Sequence, residues 1–154
     1  MAAVLVFDAS ADLLEMVETF LKVKGYDVHT CLLRDLENAA TDPVELINRT
    51  APDVVVYDID PPYSIKWQAV LALACEPSVT SPFVFTTTNP TVVSELLKGS
   101  TSARLLPKPY DLDRLAAAIE EALRQPGDRR HLRDRRSGED RRRTDRRQDD
   151  DDSS

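Results

Sequence analysis

The sequence predicts an α/β domain built on a five-stranded, doubly wound parallel sheet with helices on both faces. Short apolar runs alternate five times with segments of helical periodicity, which is the pattern of successive strand–helix units. The run from Val54 to Tyr57 is entirely apolar or aromatic. Pro52 precedes it and Pro61-Pro62 follow it, so it has the length and the boundaries of a strand buried on both faces.

Each predicted strand is followed by a helix with its own start or stop signal. The predicted strands cover residues 4–7, 26–32, 54–57, 83–86 and 103–106. The predicted helices cover residues 12–24, a segment that starts at Asp42-Pro43, residues 67–75, a segment from Asn89-Pro90 to Gly99, and a last segment capped by Asp111. Asp12 with Glu15 is interpreted as a capping box, and Gly25 as the end of the first helix.

Charge and composition exclude several classes of function. The net charge is −7, and residues 1–125 carry 10 Lys+Arg against 18 Asp+Glu, or −8. An acidic body argues against nucleic-acid binding by this part of the chain. No apolar stretch approaches the roughly 20 residues that span a bilayer, so no membrane partner is predicted. The two cysteines, Cys31 and Cys75, lie outside any metal or redox spacing. Free thiols of this kind are typical of the reducing cytosol, and we expect a cytoplasmic protein.

A second region, residues 126–154, differs from the first, residues 1–125. It repeats Asp-Arg-Arg four times, ends in four aspartates and two serines, and contains one Leu and no aromatic residue. Such a segment cannot bury enough apolar surface to offset an ordering cost of roughly 1–2 kcal/mol per residue, so we predict a disordered tail. Residues 129–147 carry 10 Arg against 4 acids, or +6. They could make weak, salt-sensitive contacts to nucleic acid or to the acidic domain, but the interspersed acids argue against tight nucleic-acid binding.

Polar side chains stand where four of the predicted strands end. They are Asp8, Asp58, Thr87 and Lys108, with Asp60 just beyond Asp58. Because the carboxyl ends of parallel strands meet at one edge of the sheet, we expect these groups to lie together. Together they could transfer a phosphoryl group to a carboxylate, with Asp58 as the nucleophile. Lys108 would supply a positive charge, Thr87 a hydrogen bond, and the carboxylates could hold a divalent ion.

Each of these residues also has a structural interpretation. Asp58 could cap the following loop, Asp8 the first helix, and Asp60 could be a turn residue before Pro61. Thr87 lies in the run 86–88, in which any of the three threonines could satisfy backbone groups. The convergence of four strand ends favours the chemical interpretation for Asp58.

Four stretches carry a family resemblance: VLVFDASADLLEMVETFL, DVVVYDIDPP, PFVFTTTNP and LPKPYDLDRL. They resemble, in order and at the ends of the corresponding strands, bacterial response-regulator receiver domains, over about residues 4–123. The resemblance implies a flavodoxin-like sheet of order 2-1-3-4-5. It implies that Asp58 is the phosphoacceptor, Thr87 the switch hydroxyl and Lys108 the phosphate-contacting lysine.

The same resemblance implies a cofactor, partners and a backbone feature. Mg²⁺ would be bound by Asp8, Asp58 and the backbone carbonyl of Asp60, and the Lys108-Pro109 bond would be cis. The partners would be a sensor histidine kinase or phosphotransfer protein and a downstream protein. Two positions depart from the family pattern. Ala9 stands where a second acidic residue usually binds the metal directly, which predicts weakened binding, and Leu105 stands where an aromatic switch residue is usual.

Three functional hypotheses remain open from the sequence. The first is a single-domain response regulator, not an enzyme, that accepts a phosphoryl group on Asp58 and signals through protein contacts. The second is a degenerate receiver that binds a partner without phosphorylation, which Ala9 and Leu105 favour. The third and most remote is a phosphatase resembling the haloacid dehalogenases, suggested by the Asp58-x-Asp60 pair. That motif usually lies on the first strand, and here two prolines follow it.

Overall fold

The computed structural model describes residues 1–98 and 104–124 and contains the predicted doubly wound sheet. All paired strands are parallel, and their order is β2-β1-β3-β4-β5, as the family resemblance implied. The strands are β1 (Ala3–Asp8), β2 (Asp27–Leu32), β3 (Val54–Asp58), β4 (Phe83–Thr87) and β5 (Arg104–Pro107). The helices are α1 (Ala11–Val23), α2 (Leu33–Glu37), α3 (Pro43–Thr50), α4 (Tyr63–Ala74), α5 (Pro90–Leu96) and α6 (Leu112–Arg124).

The sheet separates two hydrophobic cores, one on each face. Because side chains alternate along a strand, β3 contributes Val55 and Tyr57 to one core and Val54 and Val56 to the other. The first core is rich in aromatic rings, and the second consists largely of aliphatic side chains from the strands, α1 and α6. Burial on both faces explains why β3 is apolar without interruption up to Asp58.

Side-chain caps start three of the helices. Asp42 and Asn89 cap α3 and α5, each followed by a proline, as the sequence predicted. The predicted capping box of Asp12 and Glu15 is wrong, because the cap of α1 is Ser10, whose hydroxyl accepts the N–H of Leu13. Only two residues, Ala9 and Ser10, therefore separate the end of β1 from the start of α1, so the β1–α1 loop stays close to the sheet edge.

Two helices differ from the sequence prediction. The five-residue α2 has no side-chain cap and was not predicted. Helix α4 begins at Tyr63 instead of Trp67, because its first turn contributes little to the core and so shows no apolar period. In that first turn Ile65 remains 64% exposed, whereas Trp67 and Val70, which lie further along the helix, are buried.

Some sequence predictions fall outside the described ranges. These are the disordered tail at 126–154, the helix end at Gly99 and the first residue of the last predicted strand, Ala103. Among the helices of residues 1–98 and 104–124, none has the length and apolar character needed to cross a membrane.

Candidate functional site

Asp8 and Asp58 lie side by side at the carboxyl edge of the sheet. Each is the last residue of its strand, and the register of β1 and β3 pairs the preceding residues, Phe7 and Tyr57. Asp8 is 3% exposed and Asp58 is 0% exposed, so two carboxylates are buried next to each other. Burial of like charges is costly, and it requires a compensating cation or proton nearby.

Lys108 supplies the compensating charge. Its Nζ donates to Asp8 Oδ2 at 2.8 Å and lies 3.1 Å from Asp58 Oδ1. The ammonium therefore bridges the two carboxylates. Its backbone is held by β4, since the Lys108 N–H donates to the Thr87 carbonyl at 2.7 Å. The Lys108-Pro109 peptide bond is cis, as the resemblance implied. The geometry brings together three of the residues that the sequence singled out.

A threonine hydroxyl completes the contacts of Asp58, but it belongs to Thr86. Thr86 lies opposite Asp58 in the β3–β4 register, and its Oγ1 donates to Asp58 Oδ1 at 3.0 Å. The hydroxyl of Thr87, which the resemblance implied as the switch hydroxyl for a phosphoryl group, donates to the Ile59 carbonyl at 2.9 Å and accepts the N–H of Asn89. Its switch role stays a prediction. Sequence reasoning missed Thr86 because adjacent strand residues point to opposite faces, and only the register decides which one reaches the carboxylate.

The two carboxylate oxygens of Asp58 differ in their contacts. Asp58 Oδ2 is buried and has no hydrogen-bond partner within the described part of the chain. A buried acceptor without a donor is energetically unfavourable when ionised. Burial accordingly raises the pKa of Asp58 to about 7. The neighbouring carboxyl groups of Asp60 and Asp8 raise this pKa further, while Lys108 opposes them.

The same electrostatics act on the neighbours of Asp58. Burial lowers the pKa of Lys108, but its hydrogen bond to Asp8 and the charge of Asp58 outweigh that effect, so the pKa is raised overall. Lys108 is therefore an ammonium at neutral pH. Burial, together with the charge of Asp8, raises the pKa of the Tyr110 hydroxyl to about 12. This half-buried tyrosine therefore keeps its proton and remains a neutral neighbour of the pocket.

The residues present do not fit a tightly bound Mg²⁺ ion. Such an ion prefers about six oxygen ligands, usually including at least one or two carboxylates. Across the described ranges, no group of three or more His, Cys, Asp or Glu side chains is arranged to hold a metal. Asp8 and Asp58 are already bridged by Lys108, and the next residue after Asp8 is Ala9, whose methyl group cannot ligate. Magnesium binding by Asp8, Asp58 and the Asp60 carbonyl therefore stays a prediction.

Leu105 occupies the position where the resemblance expects an aromatic side chain. It pairs with Phe85 in the β4–β5 register and packs, partly buried, against the aromatic core. Leu105 is therefore anchored in this core by apolar contacts.

Comparison with known proteins supports the fold. No protein-family model and no curated protein matches the chain by sequence. Chemotaxis protein CheY4 of Vibrio cholerae is 23% identical, with a TM-score of 0.63 over 80% of this chain and 99% of that one. The receiver domain of Francisella response regulator 1452 is 20% identical, with a TM-score of 0.63 over 81% and 98%. NtrX from Brucella abortus is 28% identical, with a TM-score of 0.57 over 89% of this chain but only 30% of that one. The chain therefore has the receiver-domain fold of response regulators.

Proposed function

We propose that this protein is a receiver in a phosphorelay, accepting a phosphoryl group on Asp58 and signalling through protein contacts. The receiver unit corresponds to residues 1–125. The observation that carries the proposal is the asymmetric environment of Asp58. One carboxylate oxygen is held by Lys108 and Thr86, and the other, Oδ2, has no partner among the described residues. A nucleophile needs this combination of a fixed orientation and a free oxygen.

The chemistry follows from that arrangement. The donor would be a phosphohistidine of a sensor kinase or phosphotransfer protein, located with the receiver in the cytoplasm. Asp58 Oδ2 attacks phosphorus, the P–O bond forms and the P–N bond breaks. The departing imidazole nitrogen takes up a proton and leaves as neutral histidine. Lys108 offsets the negative charge on the transferred oxygens, which is the principal catalytic contribution in phosphoryl transfer.

Two features limit how readily this reaction occurs. Asp58 is 0% exposed, so the segment that follows β3 must move before a donor can reach Oδ2. Because the pKa of Asp58 is about 7, only about half of the molecules carry the nucleophilic carboxylate at neutral pH. These features give specific support to the second candidate function, a degenerate receiver that binds its partner without phosphorylation. The phosphatase hypothesis has no such support, since Asp58 and Asp60 follow the third strand of the chain.

Intact-protein mass spectrometry tests the proposal directly. The full chain is incubated with acetyl phosphate in separate samples containing Mg²⁺, Mn²⁺ or a chelator. We expect one added phosphoryl group, absent from Asp58→Asn and still formed by the matched control Asp113→Asn, which replaces an exposed acid in the first turn of α6. An adduct that persists in Asp58→Asn would assign the acceptor elsewhere. If no adduct forms in any of these samples and none forms with a cognate phosphohistidine donor, the proposal is refuted. The degenerate receiver would then be the remaining hypothesis.

A further inference from the structure

The pocket between Asp8 and Asp58 already contains a cation, the ammonium of Lys108. We propose that Lys108 is the resident cation of this pocket in place of a divalent metal, and that Ala9 is the residue that keeps metal affinity low. The inference rests on the proposed function for its significance, since it concerns the same pocket. Its test is metal binding at equilibrium without a phosphoryl donor, so the two proposals can fail separately.

The carboxylate oxygens are largely committed to other partners. Asp8 Oδ1 accepts the N–H of Ser10 at 3.0 Å, and Asp8 Oδ2 accepts Lys108 at 2.8 Å. Asp58 Oδ1 accepts Thr86 and lies 3.1 Å from the Lys108 ammonium. Only Asp58 Oδ2 has no partner within the described part of the chain. A divalent ion would have to displace the ammonium to gain a second carboxylate oxygen, because the two cations would compete for the same atoms.

The charges in the pocket also disfavour a divalent ion beside Lys108. With both carboxylates ionised, the pair carries −2 and the ammonium +1, which leaves −1 in a pocket where both acids are almost fully buried. A doubly charged ion beside Lys108 would be repelled by the ammonium at short range and in a medium less polar than water. Adding a divalent ion to the pocket would change the charge of this group from −1 to +1, so it would bring the pocket no closer to neutrality.

Ala9 is the position at which a third carboxylate would change this balance. It follows Asp8 directly, is exposed at the end of β1, and precedes Ser10, whose backbone N–H returns to Asp8. Because Ala9 is exposed, an acidic side chain at this position would face water and would avoid the cost of burying a further charge. It would add a negative charge and an oxygen ligand directly beside Asp8. Ala9 is therefore the position at which a single substitution should raise the metal affinity without removing a buried group.

Mn²⁺ is a suitable probe, because it broadens the NMR signals of nearby amides. The full chain is titrated with Mn²⁺ and broadening is followed at Ala9 and Ile59, separately from the signals of the four aspartates at 149–152, which could bind metal independently. We expect the pocket of Ala9→Asp to bind Mn²⁺ at least about tenfold more tightly than the wild type, the factor typical of an altered metal ligand shell. The matched control Ala117→Asp adds the same charge at an exposed position of α6 and should behave as the wild type does.

Lys108→Met provides a second, independent variant. Removing the ammonium frees both carboxylates, so the pocket of Lys108→Met should also bind Mn²⁺ more tightly than the wild-type pocket. Lys108→Arg keeps a positive charge and should bind Mn²⁺ as weakly as the wild type. If Ala9→Asp does not fold, the Lys108 pair decides the question. Wild-type binding as tight as that of the variants, abolished by Asp8→Asn, would overturn the proposal. Unchanged affinity in both Ala9→Asp and Lys108→Met would overturn it as well.

Discussion

Replacing Asp58 with Asn should change how the stability of the fold depends on pH. The structure raises the pKa of Asp58 from 3.8 to about 7. An acid with a higher pKa in the folded chain than in the unfolded chain holds its proton more tightly when folded. Its contribution to stability is therefore fully present below about pH 4, decreases as the pH rises towards about 7, and is constant above that value.

The magnitude follows from these two pKa values. Between pH 5 and pH 8, ionisation of Asp58 should reduce the free energy of unfolding by roughly 2–3 kcal/mol. Asn cannot ionise, so this decrease should be missing from Asp58→Asn. Urea unfolding at pH 5, 6, 7 and 8 measures both proteins, and the change in their difference with pH isolates Asp58. The control, Asp113→Asn, replaces an exposed acid in the first turn of α6 and should parallel the wild type. If the free energies of unfolding of Asp58→Asn and wild type changed with pH in parallel, the pKa of Asp58 would not be raised. That result would refute the description of Asp58 as a buried, partly unpaired carboxylate.

Four further substitutions test individual features of the fold by the same urea assay. Thr86→Val removes a donor to ionised Asp58 and should cost about 1.5–3 kcal/mol at pH 8 but less at pH 5. Thr87→Val should show a cost that depends little on pH, and equal pH dependence in the two variants would contradict the assignment of Thr86. Phe85→Ala removes a fully buried ring that packs on two other aromatic rings and should cost about 3–5 kcal/mol; a loss below about 1 kcal/mol would contradict its place in the core. Ala51 ends α3 at φ 46°, so Ala51→Gly should stabilise the protein by about 0.5–1 kcal/mol, and destabilisation would refute the left-handed conformation.

The fold and the position of the pocket could be predicted because they depend on short-range patterns. An apolar run bounded by prolines identifies β3, and parallel pairing then places the ends of the strands at one edge. This is why Asp8, Asp58 and Lys108 could be grouped from the sequence alone. The short helix α2 was missed for the opposite reason, because it has no side-chain cap and only five residues.

Other properties of the pocket depend on pairings that no local pattern contains. Whether Thr86 or Thr87 reaches Asp58 is decided by a register between strands almost thirty residues apart, and a shift of one residue would exchange them. The pKa of Asp58 is raised chiefly by its burial in the folded domain, and it is further adjusted by Asp8 and Lys108, which are distant in the sequence. Composition and spacing could identify the groups but not the protonation state that their arrangement produces.

The raised pKa of Asp58 and the alanine at position 9 are physically connected. Every negative charge added near Asp58 disfavours its ionised form unless a cation accompanies it, and Asp8 already has this effect. A further carboxylate without a metal would push the pKa of Asp58 above neutrality and leave less of the nucleophilic form. With Ala9, a single ammonium on Lys108 is enough to keep about half of Asp58 ionised at pH 7. A pocket that relies on a lysine in place of a metal therefore needs a small neutral residue at position 9 to keep its acceptor reactive.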